Sequence, residues 1–301
     1  MQKTLISIIG STGIGKTKLA IEMAKHFGTE IISCDSRQFF KEMKIGTATP
    51  TDEELAQAKH HFIGHLSVQD YYSIGQYEED ALEKIEEIFE KNDFAVLVGG
   101  SMMYEKAVVE GLNDLPEANA ENQEKLQKIL DEEGLEKLQE ILKNLDEEYY
   151  NVVHKENPRR LLRAIDVIWQ TGRKYSEIIA EPKHKRDFKV IRIGVTAPRE
   201  IMYERINLRV DKMLEKGLID EVKSLTEYQK LVPLQTVGYT EIFKYLEGTW
   251  DLDFAIEEIK KNSRRYAKRQ ETWNRKVENV TWLPYDYSEE QLHEILSKIE
   301  K

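Results

Sequence analysis

Eight residues near the start of the chain restrict its fold more than any other stretch. Gly10-Ser11-Thr12-Gly13-Ile14-Gly15-Lys16-Thr17 matches the phosphate-loop pattern GxxxxGK[ST] in full. TLISII (residues 4–9) precedes it and reads as a buried strand; KTKLAIEMAKHF (16–27) follows it and reads as a helix. Glycines let successive backbone N–H groups turn inward around a phosphate, and the helix N-terminus adds partial positive charge. Lys16 supplies a mobile cation, and the Thr17 hydroxyl is a ligand for Mg²⁺. Such a loop is carried at the end of a parallel strand, so the remaining elements should alternate between strand and helix.

They do so in part. Residues 30–33 (EIIS) make a second short strand ending at Cys34-Asp35, and Phe94–Val98 makes a third, stopped by Gly99-Gly100. Between them Thr51–Glu54 has the capping-box form, and 75–91 reads as a helix with Leu82, Ile85 and Phe89 on one face. Ser101 starts another helix over 102–110. From about 120 to 185 no strand is legible; Leu126, Ile129, Leu130, Leu138, Ile141, Leu142 and Leu145 recur at helical spacing, and Leu161, Leu162, Ile165 and Ile168 resume it after Pro158. Strand character returns at 189–195 (KVIRIGV). The expected fold is α/β, a P-loop NTPase-like parallel sheet flanked by helices, with residues 1–115 and 188–301 as the core and 116–187 as an inserted all-helical domain.

Charge narrows the function. With 44 Lys and Arg against 55 Asp and Glu, the 301-residue chain carries −11, which excludes a general polyanion binder and confines any nucleic-acid contact to local clusters. Residues 259–276 hold eight cations against one acid, and 155–174 hold six against two. Cys34 is the only cysteine, so no intramolecular disulfide can form, and a reducing cytoplasm fits. Apolar stretches such as Leu5–Ile9 are of strand length, too short for a membrane span or a signal peptide's core. Nothing demands a partner chain, so a monomer is expected.

The third strand ends in Gly99-Gly100-Ser101, with no carboxylate where an NTPase usually presents the second Mg²⁺ ligand. That disfavours a hydrolytic motor or switch while leaving a holder of di- or triphosphates. Asp35, at the carboxyl end of the second strand, should face the ligand crevice. There it can hold Mg²⁺ or accept a proton from an attacking group; the plainer reading is the N-cap of a following helix.

In order along the chain, GSTGIGKT, DSRQ (35–38), GTATP (46–50), GGSMMY (99–104), NPRRLLRA (157–164), RVDKMLEKGLIDEV (209–222), QTVGYTE (235–241) and AKRQETW (267–273) resemble the blocks of the bacterial tRNA dimethylallyltransferase (tRNA isopentenyltransferase) family. The resemblance runs from residue 5 to about 283. Departures are modest: Ser11 stands for the usual Pro, Gly13-Ile14 for Ala-Ser, Ser101 for Thr, and Phe39-Phe40 replaces a usual Tyr after DSRQ.

The resemblance implies transfer of a dimethylallyl group from dimethylallyl diphosphate to N6 of adenosine 37, beside the tRNA anticodon, with Mg²⁺. Gly10 to Thr17 would then bind a leaving diphosphate, Asp35 would take the amine proton, and Ser101 would orient the amine or bridging oxygen or simply cap its helix. Arg209 is either a second diphosphate clamp or a solvated helix-face arginine. Candidate tRNA contacts are Asp35, Ser36, Arg37, Gln38 and Ser101; Gln123; Arg159, Arg160, Leu161, Leu162 and Arg163; Gln235, Thr236, Val237, Gly238, Tyr239 and Thr240; and Arg264, Arg265, Lys268 and Arg269, with Lys260 and Lys261 on the same helix. His60, His61 and His65 read as structural or surface residues rather than a metal site, and Trp250, Trp273 and Trp282 as core. A small-molecule kinase and a non-catalytic nucleotide-binding RNA module are the alternatives. The 157–164, 235–241 and 267–273 blocks have no use in a kinase.

Overall fold

The computed structural model describes residues 2–300. A sheet of six strands, all parallel, organises the larger of two compact units. Its first part runs β1 (Thr4–Gly10), α1 (Lys16–Phe27), β2 (Ile31–Ser33), α2 (Asp52–Leu55), β3 (His60–His61), α3 (Ile74–Phe89), β4 (Phe94–Val98) and α4 (Met102–Glu110). The helical unit, residues 110–185, contains α5 (Ala120–Glu133), α6 (Leu135–Leu145), α7 (Glu147–Val152), α8 (Pro158–Thr171) and α9 (Tyr175–Ala180). The larger unit resumes with β5 (Lys189–Thr196), α10 (Arg199–Glu215), α11 (Leu218–Ser224), α12 (Tyr239–Leu246), α13 (Leu252–Asn274), β6 (Val280–Pro284) and α14 (Glu289–Ile299). The units divide at 109/110 and 185/186, against the 115/116 and 187/188 expected from the sequence.

Strand order is β3-β2-β4-β1-β5-β6, and the register decides where the loops meet. Ile8 of β1 pairs with Val98 of β4, and Val98 with Ser33 of β2. The three segments that follow these strands therefore emerge side by side at one edge: the phosphate loop, Cys34-Asp35, and Gly99-Gly100-Ser101. Alternate residues of β1 feed opposite layers, as the two-residue strand period requires. Leu5 packs with Tyr77 and Ile85 of α3, whereas Ile6 and Ile8 pack with Leu19 and Met23 of α1 and with Leu296 of α14. Both faces are covered, the condition under which parallel strands are continuously apolar.

The helical unit has its own core of Leu126, Leu138, Leu142, Leu161, Leu162, Ile165 and Ile168. Asn157 caps α8 by accepting from Arg160 N, and Pro158 occupies its first turn, where the missing N–H is harmless.

Two strands escaped the sequence reading. β3 is only two histidines long, and β6 follows a charged stretch at the sheet edge, so neither carries a usable period. On β6, Trp282 lies across Gly194 of β5 and stays 43% exposed, which corrects its assignment to the core. His61 accounts for itself structurally, its Nε2 lying 2.5 Å from Glu30 Oε2, while His65 packs edge-on to Phe39 and Tyr72. Among the described residues no cluster of three or more His, Cys, Asp or Glu side chains could hold a metal. Nor is any helix among them long and apolar enough to cross a membrane.

Candidate active site

The phosphate loop closes onto α1 through Gly15, whose φ of 108° is a left-handed conformation that glycine adopts without strain. No side chain caps α1, so its first amides are left to an anion. Ile14 is buried in the core and can offer only its backbone. Lys16 Nζ folds back to donate to the Ser11 carbonyl at 2.8 Å. Burial pulls the Lys16 pKa down to about 8; Asp35 opposes the fall and Arg209 adds to it.

Arg209 is no solvated surface residue. From α10 its guanidinium donates to Thr12 Oγ1 at 3.0 Å and to the Thr47 carbonyl at 3.2 Å, tying the phosphate loop to the 46–50 turn. Burial lowers its pKa too, against the pull of Asp35. Two cations thus stand beside one carboxylate, a local excess that a diphosphate would neutralise.

Asp35 opens a turn rather than a helix, and its Oδ1 accepts from Arg37 N at 3.1 Å, so the N-cap reading is corrected. The approach of the neighbouring loop explains the paired glycines: a Cβ on Gly99 would lie 2.5 Å from the Cys34 carbonyl carbon, and one on Gly100 2.8 Å from Asp35 Oδ2. Ser101 Oγ accepts from Ser36 N at 3.0 Å and lies 2.8 Å from Ser36 Oγ, so its hydroxyl is directed to the DSRQ turn. Cys34 is buried, and burial, with Glu105 and Asp35, raises its pKa well above that of a free thiol. It is therefore held neutral and is no nucleophile.

Two cavities meet at this edge. One, of about 440 Å³, is lined by the phosphate loop, Asp35, Gln38, Gly99-Gly100 and Arg209. The other, of about 240 Å³, joins Asp35, Ser101 and Arg209 to an apolar wall of Ile206, Val210, Met213, Val237 and Ile259. Ser36, Arg37, Thr236 and Gly238 also line it, which brings the DSRQ and QTVGYT candidates together. Gln38 Nε2 donates to the Thr47 and Ala48 carbonyls, and exposed Gln235 donates to the Gln229 carbonyl. Tyr239 belongs elsewhere: it is fully buried, with its hydroxyl donating to Glu221, so its side chain leaves the candidate tRNA set.

The helical-unit candidates divide in the same way. Arg159 and Arg160 are exposed, but Leu161 and Leu162 are buried in that unit's core, which corrects their placement among side chains that touch tRNA. Gln123 is half-buried on α5. Arg163 donates to the Pro116 carbonyl and pairs with the fully buried Asp166, which also accepts from Asn119 N, Asn122 Nδ2 and Gln170 Nε2. Arg163→Ala should therefore lower stability by about 1–3 kcal/mol, read as a shift in urea midpoint, because Asp166 loses its ion pair. Arg160→Ala should leave the midpoint unchanged and reduce the salt dependence of tRNA binding instead; an unchanged salt slope would remove Arg160 from the interface.

On α13 the basic run is partly neutralised. Lys260 pairs with Asp211, Lys261 with Glu258, and Arg264 donates to Asn207. Arg265, Lys268 and Arg269 remain exposed. Reading the helix by charge alone missed its uncharged partners of the site. Gln270 and Tyr266 both donate to the Gly100 carbonyl, at 2.8 and 3.0 Å. Glu221 and Glu241 were missed as well. Glu221 accepts from Ile45 N and Gly46 N, and Glu241 from Gly238 N and Asn262 Nδ2, so each carboxylate holds a turn at the cavity. Glu221 and Glu241 sit inside the sequence blocks quoted above, the only signal that pointed to them.

The model for the family described as IPP transferase matches residues 38–277. The chain belongs to that family. A tRNA dimethylallyltransferase of Christiangramia forsetii is 50% identical over 300 residues, covering 99% of each chain. One from Bacteroides fragilis, tRNA dimethylallyltransferase 1, is 46% identical over 99% of this chain and 98% of its own. Among solved structures, the full-length tRNA isopentenylpyrophosphate transferase of Bacillus halodurans superposes with a TM-score of 0.73 at 36% identity, covering 99% of this chain and 96% of that one. A eukaryotic dimethylallyltransferase captured acting on tRNA gives 0.85 at 27% identity, covering 99% of this chain and 78% of that one. As in the IPP transferase structures, the fold is a parallel sheet of P-loop type flanked by helices.

Proposed function

We propose that this chain transfers a dimethylallyl group from dimethylallyl diphosphate to N6 of adenosine 37 in tRNA, releasing diphosphate. One observation carries the reading: an apolar cavity wall and the Asp35 carboxylate share a cavity with Arg209, which is bonded to the phosphate loop. A kinase needs the loop and the carboxylate but has no use for a hydrocarbon-sized wall beside them. The relatives' names favour the same chemistry.

As the allylic C–O bond breaks, its electron pair passes to the diphosphate, where Lys16, Arg209 and the loop amides meet the developing charge. The N6–C bond forms as the amine loses its proton to Asp35. The amine is a poor nucleophile because its lone pair is delocalised into the ring, so proton removal and orientation by Ser101 raise its reactivity. The wall of Ile206, Val210 and Met213 takes the five-carbon chain and excludes water from the allylic cation's neighbourhood. The base must leave its stack to arrive, at a cost of a few kcal/mol. Arg160, Arg265, Lys268 and Arg269 are exposed cations suited to the RNA backbone.

Thr17 and Asp35 line one cavity with hard oxygen donors, a set that suits Mg²⁺. Thr17 and Asp35 would hold Mg²⁺, which would supply charge neutralisation to the leaving group. The single cysteine, a buried free thiol, fits action in a reducing cytoplasm, and the reading takes the chain as a monomer.

The test pairs labelled dimethylallyl diphosphate and Mg²⁺ with an anticodon stem-loop carrying adenosines at 36, 37 and 38, and with a second in which position 37 is guanosine. Label on the first loop alone is expected. No label on either, with ATP-dependent phosphorylation of a small acceptor, would replace this reading with a kinase.

A further inference from the structure

Gln270 is fully buried on α13, and both ends of its carboxamide are used across long sequence separations. Its Oε1 accepts from Thr12 N at 2.8 Å, in the phosphate loop. Its Nε2 donates to the Gly100 carbonyl at 2.8 Å, one residue before Ser101. One turn earlier Tyr266 donates to the same carbonyl, and the backbone of Ala267 accepts from Ser11 Oγ. From Gly100 the connection continues through Ser101 Oγ to Ser36 N, next to Asp35. A single side chain thus spans from the loop that holds the leaving group to the loop beside the proton acceptor. An uncharged carboxamide offers a donor and an acceptor together, and it does so without the penalty of a buried charge.

We propose that Gln270 is a positioning residue for the transfer step, setting the separation between the diphosphate cradle and the Asp35–Ser101 edge that receives the amine. The inference rests on the prenyl-transfer reading. Reacting groups must approach to about 3–3.5 Å in line, and a misplacement near 1 Å lowers rates by about 10²-fold. Substrate affinity depends on each loop separately, whereas turnover depends on their spacing.

Gln270→Glu separates the two bonds. The introduced carboxylate still accepts from Thr12 N but repels the Gly100 carbonyl; once protonated, it donates there again. Around Tyr266, one turn away and on the same carbonyl, stand Asp35 and Cys34 after β2, Arg37 in the following turn and Arg269 on α13; Arg209 and Lys16 bond to Thr12 and Ser11 on the phosphate-loop side. All of these are present in the unsubstituted chain, so the ratio of variant to unsubstituted kcat isolates the new group.

That ratio should fall roughly 10–100-fold at pH 8 and recover towards pH 6, with KM for dimethylallyl diphosphate and for the stem-loop little changed. Gln270→Met, which lacks both bonds, should be as slow at pH 8 and show no recovery. A ratio near one for both variants, a Gln270→Glu ratio that stays low down to pH 6, or a loss confined to KM overturns the inference. Should the glutamate variant not fold, Gln270→Asn, a carboxamide on a shorter arm, carries the same division of kcat from KM. Failure of the unsubstituted chain to transfer label would instead overturn the prenyl-transfer reading on which this rests.

Discussion

Asp35→Asn is expected to cut turnover roughly 10²–10⁴-fold while tRNA affinity changes little. Asparagine keeps an oxygen to accept from Arg37 N, so the turn that Asp35 opens should survive. What it lacks is the ability to take a proton. Asp35→Ala removes the turn's hydrogen bond as well, and comparing the two separates the loss of the base from the loss of the loop. Single-turnover transfer from labelled dimethylallyl diphosphate measures the chemical step apart from release. If the asparagine variant retained more than about a tenth of the turnover, a different group would have to accept the proton. A further consequence distinguishes base from metal ligand. Loss of a proton acceptor lowers the rate at saturating Mg²⁺, whereas loss of a ligand is partly recovered by raising Mg²⁺.

The parts of this site that were legible in the sequence are those set by local rules. The phosphate loop needs glycines, a lysine and a hydroxyl at fixed spacing, so residues 10–17 declared themselves. Asp35 was found because carboxyl ends of parallel strands face ligands. Illegible were the partners that arrive from far along the chain. Gln270 lies 258 residues from Thr12, and no periodicity or charge marks it; only its place in the 267–273 block does. Charge reading erred in a systematic way: it counted Arg163 as available to phosphate, whereas buried Asp166 three residues on had already engaged it. The same limit applied to Leu161, Leu162 and Tyr239, whose blocks matched a family pattern for reasons of packing. A matched block identifies where a constraint lies. Only burial and hydrogen bonding separate the residues that face a ligand from those that hold the turn in shape.

Lys16→Ala should lower kcat/KM for dimethylallyl diphosphate roughly 10²–10³-fold, the loss found when one preorganised donor to a developing oxyanion is removed. Its pH dependence is the sharper test. In the free chain Lys16 titrates near 8 instead of 10.5 because its ammonium is buried, with Arg209 beside it. A lowered pKa means that the folded chain holds this proton less tightly than the unfolded chain does. Burial of Lys16 therefore opposes folding below about pH 8, and the opposition fades as pH rises from 8 towards 10.5. Donor binding acts in the opposite sense: a polyanion beside the ammonium stabilises it and raises its pKa. Binding must then take up a proton near pH 8, and affinity for the diphosphate must weaken as pH climbs from 7 to 9. With Lys16→Ala the site should bind donor weakly at every pH, and the decline across that interval should flatten. Isothermal titration with inorganic diphosphate in two buffers of different ionisation enthalpy reads the proton uptake directly. Because diphosphate carries an exchangeable proton of its own at pH 8, Lys16→Ala is titrated beside the unsubstituted chain; equal proton uptake by the two would mean that Lys16 does not change charge on binding. In that case the fold of Lys16 back onto Ser11 would serve the shape of the loop, and the charge that meets the diphosphate would have to come from Arg209 and the backbone amides.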